Sequence, residues 1–289
     1  MAKHGHRCVR ESELRETSWR MEPEKLVKAL KLIIKSGECA KPTLEKKELS
    51  IDEAIDSLSQ PITGFKRRLL RFILPIARQA VGRREWGKSL AIKSMEICRE
   101  AVQRLGVMLE ERGILPDSDL VYFFSLHELG VLIKRHSPKL IFKALRRRRL
   151  LGSLMDRDLG ELVKGYPEPV EKVSTPAAGK GASLTGIAIG PGSVEGTARV
   201  LKSFNEADQI RAGEILVVPF TDVGWTPYFP LISGLVTEYG GLLSHGAVVA
   251  REYGLPCLVA CKTATTTIPN GATVRIDGST GSISILSLP

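Results

Sequence analysis

The 289-residue chain contains no run of 18 or more apolar residues, so no stretch of it reads as a membrane-spanning helix. Its start, Met1-Ala2-Lys3-His4-Gly5-His6-Arg7, lacks the apolar core of a signal peptide. Cysteine is scarce and odd in number: Cys8, Cys39, Cys98, Cys257 and Cys261 form no CxxC pair. That excludes a disulfide framework and a zinc ribbon, and sets the expectation of a reduced, cytoplasmic chain. His4 and His6 have no cysteine or carboxylate pair beside them, so a solvated loop is expected there and no metal site.

Acidic residues are under-represented, but only in one part of the chain. The formal net charge is +10, yet from residue 181 onward there are 6 Lys+Arg against 8 Asp+Glu. Residues 1–180 therefore hold 36 against 24 and carry all of the positive excess. The basic part is also poor in glycine, and this composition shift supports two domains. Its densest charge run is Arg146-Arg147-Arg148-Arg149. Four consecutive helical positions point all round the helix and no aromatics are interleaved, so nucleic-acid binding is the weaker reading.

Helical periodicity dominates residues 1–165. Leu26, Val27, Leu30, Ile33 and Ile34 share one helical face, with Pro23 allowed in the first turn and Gly37 as a stop. Ser50-Ile51-Asp52-Glu53 and Ser125-Leu126-His127-Glu128 are capping boxes, the second opening a helix to about His136. From Phe65 to Arg112 a long helical stretch is expected, broken or kinked at Pro75, Gly82 and Gly87. Residues 166–183 are rich in Pro, Gly, Ala, Ser and Thr and read as a semi-stiff linker.

From residue 184 short strands alternate with short helices: Gly186–Gly190, Glu195–Leu201, Glu214–Pro219, Cys257–Ala260 and a hairpin over Thr273–Ile285 turning at Asp277–Gly281. Helices are expected over Asn205–Arg211 and, after a Thr221-Asp222 cap, over Gly224–Ile232. In the centre lies Gly234–Pro256, an apolar run ending at Thr237, a glycine pair at Gly240-Gly241, then Ser244-His245-Gly246 and a helix closed by Gly254 and Pro256. This places His245 in the first turn of a helix, beside unpaired backbone N–H groups that attract anions. The same field disfavours the imidazolium and keeps a ring nitrogen nucleophilic near neutral pH. A helix-capping histidine is the plainer alternative.

The run T-E-Y-G-G-L-L-S-H-G-A-V-V-A-R-E-Y-G-L-P resembles the phosphohistidine signature of the PEP-utilising enzymes, the family of phosphoenolpyruvate synthase, pyruvate phosphate dikinase and rifampin phosphotransferase. T-D-V-G-W-T-P at Thr221–Pro227 is similar to the rifampin phosphotransferase branch, as is the G-x-R-x-x-x-E pattern from Gly5 to Glu11. The resemblance implies an α + α/β architecture: a helical acceptor-binding-like domain over 1–165, the linker, and a swivelling β/β/α phosphohistidine domain over 184–289 with a closed, barrel-like sheet. It implies that His245 carries a phosphoryl group to a small-molecule acceptor. Thr237, Gly240, Gly241, Ser244, Gly246 and Arg251 would hold the phosphoryl oxygens, though an ion pair of Arg251 with Glu252 or Glu238 is an equal alternative. Asp222, Trp225, Arg84 and Glu85 are acceptor-side candidates, with capping, packing and a surface salt bridge as their alternatives. In the resembled enzymes an ATP-grasp domain charges the histidine with ATP and Mg²⁺. None precedes Met1, so the chain is expected to need that domain, as a missing portion or a separate chain, and to bind no cofactor by itself. A phosphocarrier or regulatory module that docks a separate kinase is the alternative.

Overall fold

The structure is a computed structural model, which describes residues 4–36, 50–58, 60–155, 157, 163–169, 181–190 and 192–289. Eight strands carry the C-terminal part: β1 (Ser183–Thr185), β2 (Ile187–Ala188), β3 (Ser193–Val200), β4 (Ile215–Val218), β5 (Gly234–Thr237), β6 (Cys257–Val259), β7 (Thr273–Asp277) and β8 (Ser282–Ser287). They form one sheet in the order β1-β8-β7-β3-β4-β5-β6-β2. The end strands β1 and β2 are separated in the chain by Gly186 alone, so the sheet curls until its two edges meet, as a small barrel does. β3, β4, β5 and β6 run parallel, while β7, β8 and the two edge strands pair antiparallel.

Every residue of β4, β5 and β6 is buried, as expected of parallel strands covered on both faces. Alternation divides their side chains between two cores. Ile215, Val217, Val236 and Leu258 point inward with Val274, Ile276 and Ile283. Leu216, Val218, Leu235, Cys257 and Val259 point outward, under Trp225, Tyr228, Phe229 and the helix α6 (His245–Tyr253). Burial pushes the Cys257 thiol up to about 12 and the Cys261 thiol to about 11.

Upstream are α1 (Pro23–Ser36), α2 (Ile51–Asp56), α3 (Gly64–Glu111), α4 (Leu126–Arg135) and α5 (Pro138–Met155). Both capping boxes form, at Ser50/Glu53 and Ser125/Glu128. The break expected in the long helix is absent: α3 runs through Pro75, Gly82 and Gly87 as one 48-residue helix. A proline removes a single backbone donor, and each glycine costs about 1 kcal/mol, losses that a helix of this length absorbs. The loop expected to be solvated at His6 is buried. The linker expected over 166–183 lies largely outside the described residues, as does Cys39. Among the described residues no helix is long and apolar enough to cross a membrane, and no group of three His, Cys, Asp or Glu side chains could hold a metal.

The chain divides into two compact units. One comprises residues 1–10, 18–93 and 177–289, so α1 belongs with the barrel, and Ile33 packs against its outer core. The other comprises residues 11–17 and 94–176 around Leu109, Leu120, Leu129, Leu132 and Ala144. In this second unit Arg99 is 1% exposed; it pairs with Glu96 at 2.6 Å and donates to the Glu11 and Glu13 carbonyls at 3.0 Å each. The arginine run is partly consumed here. Arg147 binds Glu128 and the Phe123 carbonyl, and Arg148 binds both oxygens of Asp117.

Arg147, Lys143 and the Ser125 backbone hold the Glu128 carboxyl far below the usual carboxylate range. A carboxylate depressed in the folded state stabilises above its unfolded pKa, about 4.3, and that contribution fades as pH falls toward the folded value. Glu128→Gln is therefore expected to be less stable than the parent at neutral pH, and the gap to start narrowing as pH falls below about 4. Denaturant midpoints followed by circular dichroism across pH 3–7 check this; parallel pH profiles would contradict it.

Candidate functional site

β4 and β5 pair in parallel with Val218 opposite Thr237, so the loops after both strands leave from the same end of the sheet. Loops beyond the C-terminal ends of parallel strands are where α/β folds place ligands. The loop after β4 enters a 3₁₀ turn over Val223–Tyr228, capped by Asp222, whose Oδ1 accepts the Gly224 N–H at 2.9 Å. The loop after β5 reaches Ser244, the N-cap of α6. Thr226 and His245 are each eight residues beyond the paired positions, and they meet: Thr226 Oγ1 and His245 Nε2 are 3.2 Å apart. Phe229 packs edge-on against the imidazole with ring centroids 6.3 Å apart. A neutral imidazole fits this contact in either tautomer, with Nε2 accepting the threonine O–H or donating to its oxygen.

Beside this pair is a cleft of about 200 Å³ lined by Phe220, Thr221, Thr237, Tyr239, Gly240 and Ser244. Thr237 is 2% exposed, and among the described residues its Oγ1 has no hydrogen-bond partner. Leaving a buried hydroxyl unsatisfied costs about 1–3 kcal/mol, a cost that an anionic ligand accepting its proton would remove. Ser244 occupies the cap position, but its side chain makes no capping hydrogen bond. Gly240 has φ +133°, a conformation L side chains avoid, and a Cβ there would lie 3.0 Å from Ser244 Oγ and 3.7 Å from Thr237 Oγ1. Glycine at this position thus keeps the space over both hydroxyls open.

The structure separates the remaining candidates. Thr237, Gly240 and Ser244 line the cleft, Gly241 lies in the loop between them, and Gly246 is buried in the first turn of α6. Arg251 does not line it; its guanidinium donates to the Ala247 carbonyl at 3.2 Å and to the Leu242 carbonyl. Nor does Arg251 pair with Glu238, whose Oε1 accepts the Thr265 N–H and O–H at 2.8 and 2.7 Å. Asp222 is a cap, and Trp225 is a core residue packed edge-on against Phe204 at 5.1 Å. Arg84 is exposed on α3, and the side chain of Glu85 lies outside the described residues. Thr226 carries no sequence signal of its own beyond the T-D-V-G-W-T-P resemblance, and only the register of two strands brings it to His245.

Residues 210–281, which hold both halves of this site, match the family model described as PEP-utilising enzyme, mobile domain. Over those residues the chain is similar to a PEP-utilising mobile domain. Residues 1–85 match a second model, the rifampicin phosphotransferase fourth domain. Among curated relatives, the rifampicin phosphotransferase of Bacillus subtilis (strain 168) is 31% identical over 99% of this chain and 34% of that protein. That of Bacillus cereus is 31% identical over 98% of this chain and 33% of the relative. The prodigiosin synthesizing transferase PigC of Serratia marcescens is 30% identical over 97% of this chain and 32% of the relative. The chain thus spans about a third of the length of the curated relatives it matches.

Thr226→Val keeps the side-chain shape and deletes the hydroxyl. Removing this half-buried hydrogen bond is expected to cost about 0.5–1.5 kcal/mol and to change the ring-nitrogen environment of His245. Long-range ¹H–¹⁵N spectra of the imidazole read the second effect directly; unchanged nitrogen shifts would show that the bond has no hold on the ring.

Proposed function

We propose that His245 is transiently phosphorylated and that the mobile domain of this chain carries the phosphoryl group between a donor and a small-molecule acceptor. The observation that carries the proposal is the buried, unpartnered Thr237 hydroxyl at the cleft next to the Ser244–His245 helix start. In the attack-competent tautomer a ring-nitrogen lone pair forms the N–P bond while the donor's P–O bond breaks and the donor departs with the electron pair. The Thr237 and Ser244 hydroxyls and the backbone N–H groups at the start of α6 then hold the phosphoryl oxygens. Transfer onward reverses the step: the acceptor hydroxyl attacks phosphorus, loses its proton, and the imidazole leaves.

The cleft lining contains hydroxyls, aromatics and backbone but no lysine or arginine. In this proposal the domain therefore positions the phosphoryl group, and the bodies it visits bring the neutralising charge. An ATP-grasp domain using ATP and Mg²⁺ is the proposed donor, and the threefold length of the relatives is consistent with one. The acceptor is proposed to be a hydroxylated small molecule, by analogy with the similar rifampicin phosphotransferases.

Intact-mass spectrometry at neutral to alkaline pH tests the proposal, using the protein with ATP, Mg²⁺ and an ATP-grasp domain supplied from a relative. A gain of about 80 Da that acid removes, absent in His245→Ala, is expected. No gain with any supplied donor domain would leave His245 a helix-start residue and withdraw the carrier reading.

A further inference from the structure

Residues 1–85 and 210–281 match two different family models, and the structure shows where they touch. Gly5, His6 and Cys8 are buried, with His6 3% and Cys8 1% exposed. The segment is held in shape by Trp19 N–H donating to the Arg7 carbonyl at 2.9 Å and Arg20 N–H to the Gly5 carbonyl at 2.8 Å. It ends at Arg10, which adopts φ +51°, a left-handed conformation that non-glycine residues keep only where their surroundings impose it. In that conformation the Arg10 N–H donates to Asp222 Oδ2 at 2.7 Å. The same carboxylate caps the turn over Val223–Tyr228, which carries Thr226 to His245.

Gly224 explains the fit. Its φ lies outside the left-handed region, so the backbone does not require glycine there. What requires it is Val9: a Cβ on residue 224 would collide with Val9 Cγ2, lie 3.2 Å from Val9 Cα and 3.1 Å from Asp222 Oδ1. The position is bare because the chain's own N-terminal segment sits on it. α1 reinforces the contact, since Ile33 packs against the outer core that the turn closes.

We infer that Gly224 and Asp222 form a docking seat on the mobile domain, that its occupant is the segment His6–Arg10 of the same chain, and that seating this segment fixes the turn that holds Thr226 against His245. The surface couples the fourth-domain segment to the histidine and marks the docked position of the mobile domain on its acceptor side; that last role rests on the carrier reading above. The joint includes the Arg10 N–H to Asp222 hydrogen bond and the Val9–Gly224 contact. Local opening of such a segment without global unfolding is what the labelling below reads.

Cys8 reports the seat. The full chain is treated with N-ethylmaleimide at pH 8, and labelling is read peptide by peptide. Cys98 is exposed, whereas Cys257 and Cys261 lie in the barrel cores. The parent protein is expected to protect Cys8 as it protects Cys257 and Cys261, and to label at Cys98. Gly224→Ala should raise Cys8 labelling at least about tenfold with the core cysteines still protected, because overpacking displaces the segment. Val9→Gly added to Gly224→Ala should restore protection. If Gly224→Ala also exposes Cys257 and Cys261, the domain has unfolded and Val9→Glu decides, since it alters no residue of the barrel and should release Cys8 alone. Labelling of Cys8 at the Cys98 rate in the parent, or undiminished protection in Val9→Glu, overturns the inference. The labelling needs no phosphoryl donor, so its outcome stands apart from the phosphorylation of His245.

Discussion

The parallel pairing of β4 with β5 fixes where chemistry can happen in this molecule. Val218 lies opposite Thr237, both strands end together, and the chain covers the same number of residues from each to Thr226 and to His245. A slip of one residue would turn Leu235 and Leu216 from the outer core to the inner one and exchange every partner. Register is therefore enforced by full burial on both faces, and the Thr226–His245 contact inherits that enforcement. The hydrogen bond to the imidazole is weak by itself; its geometry is strong because two buried strands set it.

The same logic explains what the sequence shows and what it hides. Strands β4, β5, β6, β7 and β8 and the capping boxes are legible because their causes are local: apolar runs, Asp277-Gly278 turn chemistry, and Ser followed by Glu three residues on. His245, Thr237, Gly240 and Ser244 are legible as a group because strand, glycine turn and helix start occur within a dozen residues. Thr226 is not, since its meeting with His245 depends on pairing between strands nineteen residues apart. Arg251 misleads for the opposite reason. Six residues beyond the histidine on a short helix, it looks available, but the nearest acceptors are the helix's own Ala247 carbonyl and the loop carbonyl of Leu242. The union of residues 1–10 and α1 with the barrel is equally hidden, because composition records the change from basic helices to strands and not which helix packs on which sheet.

Charge is distributed in keeping with a carrier. The basic half is not a loose cationic surface: Arg99, Arg147 and Arg148 are all committed to carboxylates or carbonyls of their own unit. Among the described residues, the lining of the cleft beside His245 offers hydroxyls and no lysine or arginine. Hydrogen-bond donors of this kind orient a phosphoryl group while leaving its charge largely uncompensated. For the proposed carrier histidine that balance serves better than an arginine clamp, which would stabilise the phosphorylated state and slow its discharge.

Two glycines then take opposite roles around one imidazole. Gly240 leaves open the side over the Thr237 and Ser244 hydroxyls, where the proposed phosphoryl group would enter, and its positive φ makes that openness a property of the backbone. Gly224 leaves bare a side that the chain itself fills, with Val9 where a side chain would have been. A domain that moves between bodies needs a surface complementary to each and strongly bound to neither. The proposed seat at Gly224 and Asp222 is specific, because a Cβ at residue 224 collides with Val9. The proposed link runs from that seat through the Asp222 cap to Thr226 and so to the histidine ring.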